Sequence, residues 1–164
     1  MGTTHMTTAN FEITTRSAEE THALGERLGA QLSAGDVLGL VGELGSGKTT
    51  CIQGLAKGLG VDPNVVRSPT FVLLREYPGR VPLTHLDGYR LDSGSSVVWL
   101  DMDWVFDPKK VTVLEWADRV ADSLPADYLE LRFSHRTANQ RAISVIGHGA
   151  RSQRLVEELK KHGP

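Results

Sequence analysis

The chain has 164 residues, of which 40% are hydrophobic and 23% charged, with a formal charge of −2. That is enough for one packed core, it contains no apolar run near the roughly 18 residues of a membrane span, and it lacks the strongly basic balance of an overt nucleic-acid binder. A single cysteine, Cys51, excludes an internal disulfide framework, leaves no disulfide-linked partner to expect and suits a reducing, cytoplasmic setting.

Charge is unevenly spread: residues 130–164 hold seven Lys/Arg against three Glu. This basic end reads either as a solvated helix and hairpin or as a face toward RNA or an acidic partner. Residues 1–10 are polar and read as a disordered or expression-derived tail, leaving 11–164 as a single domain.

In chain order, residues 11–14 read as a short strand. Ser17-x-x-Glu20 matches a capping box, and Leu24, Leu28 and Leu32 follow on one stripe, predicting a helix over 18–32. After a turn at Gly35 and Asp36, residues 37–41 form a continuous apolar run, as in a strand buried on both faces. A helix is predicted from Lys48 to about Gly58, where glycines stop it. Residues 71–77 and 81–86 read as a hairpin around Pro78 and Gly79, 93–96 as loop, and 97–106 as a short helix. Residues 111–114 form a second buried strand, 128–133 and 141–146 a late hairpin, and 151–161 a closing helix. The expected class is α/β: a P-loop NTPase-like mixed, mostly parallel sheet flanked by helices, with a C-terminal antiparallel hairpin.

Between the first buried strand and its helix, Gly42-Glu-Leu-Gly45-Ser46-Gly47-Lys48-Thr49 satisfies G-x-x-x-x-G-K-[ST]. Gly45, Ser46 and Gly47 bring successive N–H groups toward phosphate oxygens, and the helix adds the positive end of its dipole. Lys48 would reach the β- and γ-phosphates, Thr49 would ligate magnesium, and Thr50 would add a hydroxyl near the α-phosphate. About one sequence of this composition in a hundred would match by chance, and the strand and helix the motif requires are both in place.

Such a loop needs a carboxylate at a neighbouring strand end. Two apolar runs end on one, at Asp87 and at Glu115. Trp116 either walls the site or packs in the core. Thr70, within Arg-Ser-Pro-Thr-Phe, is either a sensor of the γ-phosphate or part of a turn. His85 reads as structural.

Together GELGSGKTT, RSPTF with its following VLLREY, HLDGYRL and LEWADRV, in this order and spacing, resemble the TsaE (YjeE) family from about Thr15 to Gly147. That family comprises small bacterial P-loop ATPases of tRNA threonylcarbamoyladenosine synthesis. The resemblance implies ATP as substrate and Mg²⁺ as cofactor, with Lys48 and Thr49 in the loop and Glu115 as acidic magnesium ligand beside Trp116. It further implies that Asp87 serves hydrolysis, that Thr70 acts as the switch threonine, and that Thr15 and Arg141 approach the adenine. The partners it implies are TsaB and TsaD, whose cycle ATP turnover would reset, with tRNA met only through that complex and no membrane involved. Ser46 stands where alanine is common in the family. Gly88 stands where a bulkier residue follows the aspartate, which is expected to loosen that loop.

Two rival readings remain. A small-molecule kinase would need a lid with clustered arginines, whereas Arg75, Arg80 and Arg90 are scattered. A nucleotide-dependent binding module would use the same loop with incidental hydrolysis. No N-K-x-D guanine signature occurs.

Overall fold

The structure is a computed structural model that describes residues 10–43, 45–66, 74–88 and 105–161. Seven strands form one sheet: β1 (Asn10–Thr15), β2 (Val37–Val41), β3 (Leu74–Tyr77), β4 (Leu83–Asp87), β5 (Val111–Glu115), β6 (Tyr128–His135) and β7 (Arg141–His148). Among the described residues three α-helices accompany them: α1 (Ala18–Gln31), α2 (Lys48–Gly58) and α3 (Ala150–Lys161). The strand order is β1-β7-β6-β2-β5-β4-β3. The middle of the sheet, β6-β2-β5-β4, is parallel, while β7, β1 and β3 join antiparallel. The class read from the sequence, a mixed α/β sheet ending in an antiparallel hairpin, is the one observed.

Burial explains the arrangement. β4 and β5 are buried along their whole length, as strands covered on both faces must be. The larger core packs one sheet face against the helices through Leu24, Leu28, Ile52, Leu55, Leu155 and Leu159. A smaller core on the other face joins Leu86 and Leu114 to Val105, Ala117 and Val120. Cys51 lies in the larger core, where burial pushes its thiol up to about 12, so it behaves as a small apolar residue.

The N-cap half of the capping box is present, with Ser17 Oγ accepting from the Glu20 amide at 3.1 Å, while the Glu20 carboxylate accepts at 2.6 Å from the amide of Arg16, one residue before the N-cap. Other boundaries moved. The second hairpin strand starts at Leu83 rather than 81 and runs through Asp87. Arg80 draws the preceding turn toward α1, its guanidinium donating to the carbonyls of Gly29 and Leu32, and Pro82 has no N–H for the ladder. The late hairpin extends to His135 and His148, two residues beyond the expected end on each strand. A 3₁₀ segment, Ala117–Ser123, was not anticipated, because it carries neither helical nor strand periodicity. The expected loop at 93–96 and most of the expected helix at 97–106 lie outside the described residues.

Five of the seven basic side chains of residues 130–164 have an acidic partner, two of them, Glu12 and Asp36, from outside that segment. Arg132 meets Glu130, Arg136 meets Glu12, and Arg151 meets Asp36 at 3.0 Å, while Lys160 and Lys161 pair with Glu157 and Glu158 one turn earlier.

Candidate functional site

The glycine loop leaves β2 and ends at the first residue of α2. Gly45 (φ +77°) and Gly47 (φ +104°) take backbone angles that disfavour any side chain, and Gly47 is the N-cap of α2. No side chain caps this helix and no carboxylate occupies its first turn, so its leading N–H groups keep their capacity for an anion. The loop opens on a cavity of about 620 Å³, lined by Gly45, Gly47, Lys48, Thr49, Thr50, Glu115 and Trp116 on one side. Arg16, Ser17 and Thr21 at the start of α1, and Ala138, Asn139 and Arg141 from the β6–β7 turn, form the other.

Lys48 is 5% exposed. Its Nζ donates to the Gly42 carbonyl and lies 3.5 Å from the centroid of the Trp116 ring. Burial lowers the pKa of its ammonium, opposed by the charges of Glu115, Asp118 and Asp87. Trp116 holds its ring there from a left-handed backbone conformation (φ 57°, ψ 42°), uncommon for a bulky residue and of the kind that gathers at functional sites. Asp87 and Glu115 are register partners on β4 and β5, both buried, so the two strand-end carboxylates stand side by side. Glu115 Oε2 lies 2.7 Å from His85 Nε2.

The other sequence candidates fall as follows. Ser46 is buried within the loop, and its hydroxyl has no partner among the described residues. Thr15 lies behind the cavity wall, its hydroxyl 2.7 Å from that of Thr21, so Thr21 and not Thr15 meets the cavity. Arg141 lines the cavity, but its guanidinium donates to the carbonyls of Thr137, Ala138 and Gln140 of its own turn and, at 3.4 Å, to Gly45 of the loop. Arg141 therefore ties the β6–β7 turn to the glycine loop. Thr70 lies outside the described residues. Gly88 is not a loosening: it is buried, and a Cβ there would lie 2.8 Å from the carbonyl oxygens of both Glu115 and Trp116. Reading the sequence missed Arg16, Thr21 and Asn139 as cavity walls and Asp118 as a charge acting on Lys48. The fold brings the first three in, and Asp118 comes in on the 3₁₀ segment that follows Trp116.

A family profile described as "Threonylcarbamoyl adenosine biosynthesis protein TsaE" matches residues 15–143. The chain belongs to the TsaE family. A relative from Bacillus subtilis, named tRNA threonylcarbamoyladenosine biosynthesis protein TsaE, is 38% identical over 149 residues, covering 90% of this chain and 92% of the relative. A protein of the same name from Streptomyces coelicolor is 43% identical over 136 residues, covering 78% of this chain and 90% of its own. The crystal structure of Bacillus subtilis YdiB superposes with a TM-score of 0.80 at 34% identity, covering 96% of this chain and 98% of that one. As a TsaE-family member the chain carries a role in threonylcarbamoyladenosine biosynthesis. Among the described residues, no helix is long and apolar enough to cross a membrane.

Proposed function

We propose that this chain is a cytoplasmic magnesium-dependent ATPase whose turnover supports a TsaB–TsaD pair in tRNA threonylcarbamoyladenosine synthesis. The observation that carries the reading is the convergence on one cavity of an uncapped helix N-terminus, the Lys48 ammonium and the Glu115 carboxylate. The donor set fits magnesium: the Thr49 hydroxyl and the Glu115 carboxylate are hard oxygen ligands, and both residues line the cavity. When bound, the ion would neutralise charge on the phosphate oxygens.

The remaining steps belong to the protein. The loop amides and the first turn of α2 bind and orient the phosphates. Lys48 exchanges its bond to the Gly42 carbonyl for phosphate oxygens, whose negative charge offsets the desolvation that lowers its pKa. Trp116 closes that side against water. Asp87, one strand from Glu115, accepts a hydrogen bond from the attacking water and orients it.

The test is phosphate release from ATP by the chain alone and with TsaB and TsaD of the same organism. Stimulation by the pair, falling on the order of 100-fold or more in Lys48→Ala, is the expected outcome. Turnover indifferent to Lys48→Ala would overturn the reading. Phosphate transfer only in the presence of a small acceptor would identify a kinase instead.

A further inference from the structure

The strand end that carries Asp87 also grips Glu115 at two points. His85, two residues earlier on β4, is 0% exposed, and its Nε2 lies 2.7 Å from Glu115 Oε2. One residue after Asp87, the Gly88 amide donates to the main-chain carbonyl of Glu115 at 2.7 Å. Carboxylate and backbone of Glu115 are thus both anchored to β4. The approach of Gly88 is too close for any other residue, since a Cβ would meet the Glu115 and Trp116 carbonyls at 2.8 Å.

The second ring nitrogen of His85, Nδ1, is buried with no hydrogen-bond partner among the described residues. The hydrogen therefore belongs on Nε2. Placed on Nδ1 alone, it would be stranded, and Nε2 would face the carboxylate lone pair to lone pair. A buried imidazole left half satisfied is costly, and an apolar residue at this point of the core would avoid that cost. What the imidazole supplies and an apolar residue does not is a fixed direction for the Glu115 carboxylate, which also lines the nucleotide cavity.

We propose that His85 is a positioning residue, whose Nε2–H holds the Glu115 carboxylate ready for the magnesium ion of a bound nucleoside triphosphate. The proposal rests on the nucleotide reading given above. Partners that orient metal ligands in this way contribute about 10- to 100-fold in metal affinity.

The test compares the full-length wild type with His85→Phe, which keeps a ring and removes the donor, and His85→Gln, which keeps an N–H near the same place. Calorimetry measures binding of a non-hydrolysable ATP analogue in EDTA and across a magnesium titration. His85→Phe is expected to raise the half-saturating magnesium concentration about tenfold, with affinity in EDTA unchanged within about twofold and His85→Gln restoring most of the loss. An unchanged magnesium dependence in His85→Phe would overturn the proposal, and so would equal losses with and without the metal, the mark of a purely structural role. Wild-type binding that ignores magnesium would instead sink the nucleotide–metal reading itself, a result visible before any variant is made. If His85→Phe does not fold, ¹⁵N spectra of histidine-labelled wild type, with His85→Gln identifying the resonance, decide the matter: the hydrogen must sit on Nε2, and finding it on Nδ1 overturns the proposal.

Discussion

α1 and α2 touch backbone to backbone because glycines face each other across their contact. A Cβ on Gly54 of α2 would lie 2.0 Å from the His22 carbonyl oxygen, and one on Gly25 of α1 would lie 2.1 Å from that of Cys51. Real Cβ atoms essentially never approach below 3.0 Å, so Gly54→Ala must part the helices by about 1 Å along that line. The obstructing atom is main chain and has no rotamer to swing away. Overpacking costs about 1–3 kcal/mol, and a rigid backbone contact belongs at the upper end. Alanine returns about 1 kcal/mol through its better helix propensity. The net expectation is a loss of about 2 kcal/mol, or ~4–8 °C in Tm for a chain of this size.

The same displacement reaches the site, because α2 begins at Lys48. A shift of about 1 Å in groups that position a substrate can cost on the order of 100-fold in rate. Urea unfolding followed by circular dichroism gives the stability, and titration with ATP gives the affinity. Gly54→Ala as stable as wild type and binding ATP equally well would refute the reasoning. It would mean that the helices slide past each other cheaply and that the glycines are not what sets the height of the loop above the sheet.

Asp127 accepts bonds from the Arg151 and Ser152 amides and the Ser152 hydroxyl, capping α3 from the adjoining loop. Desolvation by itself would raise its pKa, but those bonds and nearby Arg154 outweigh it and leave the carboxyl below its ordinary value. The stabilisation is therefore full at neutral pH and is lost as pH falls through the folded-state value. Asp127→Asn should be about 1 kcal/mol less stable than wild type at pH 7, with the gap narrowing as pH falls through the lowered folded-state value; a gap that stays constant into acid in urea unfolding would show that the charge is irrelevant. Ser46→Ala removes a buried hydroxyl without a partner, so it should raise stability by about 1 kcal/mol, and a Tm lower than that of wild type would reveal a bond that the hydroxyl makes.

How much of this was legible in the sequence depends on the distance over which each feature is decided. The loop and β2 were readable because glycine spacing and an unbroken apolar run act within ten residues. Asp87 and Glu115 were found as strand ends, since an apolar run that stops at an acid is also local. That Thr15 does not itself line the cavity could not be read, because nothing in 10–15 says that β1 sits at the far edge beside β7, where the Thr15 hydroxyl meets that of Thr21. The left-handed turn at Trp116 was equally hidden, for no glycine or asparagine marks it in the sequence. His85 shows the limit most clearly. Alternation along its own strand made it a core residue, and by burial it is one. Its bond to Glu115 exists because β4 and β5 pair in parallel with His85 opposite Val113 and Asp87 opposite Glu115. A register shift of one residue would turn the imidazole to the opposite face from the carboxylate. The bond between His85 and Glu115 is therefore written in the pairing of two strands far apart in the chain, and no window of sequence short enough to read as a motif contains it.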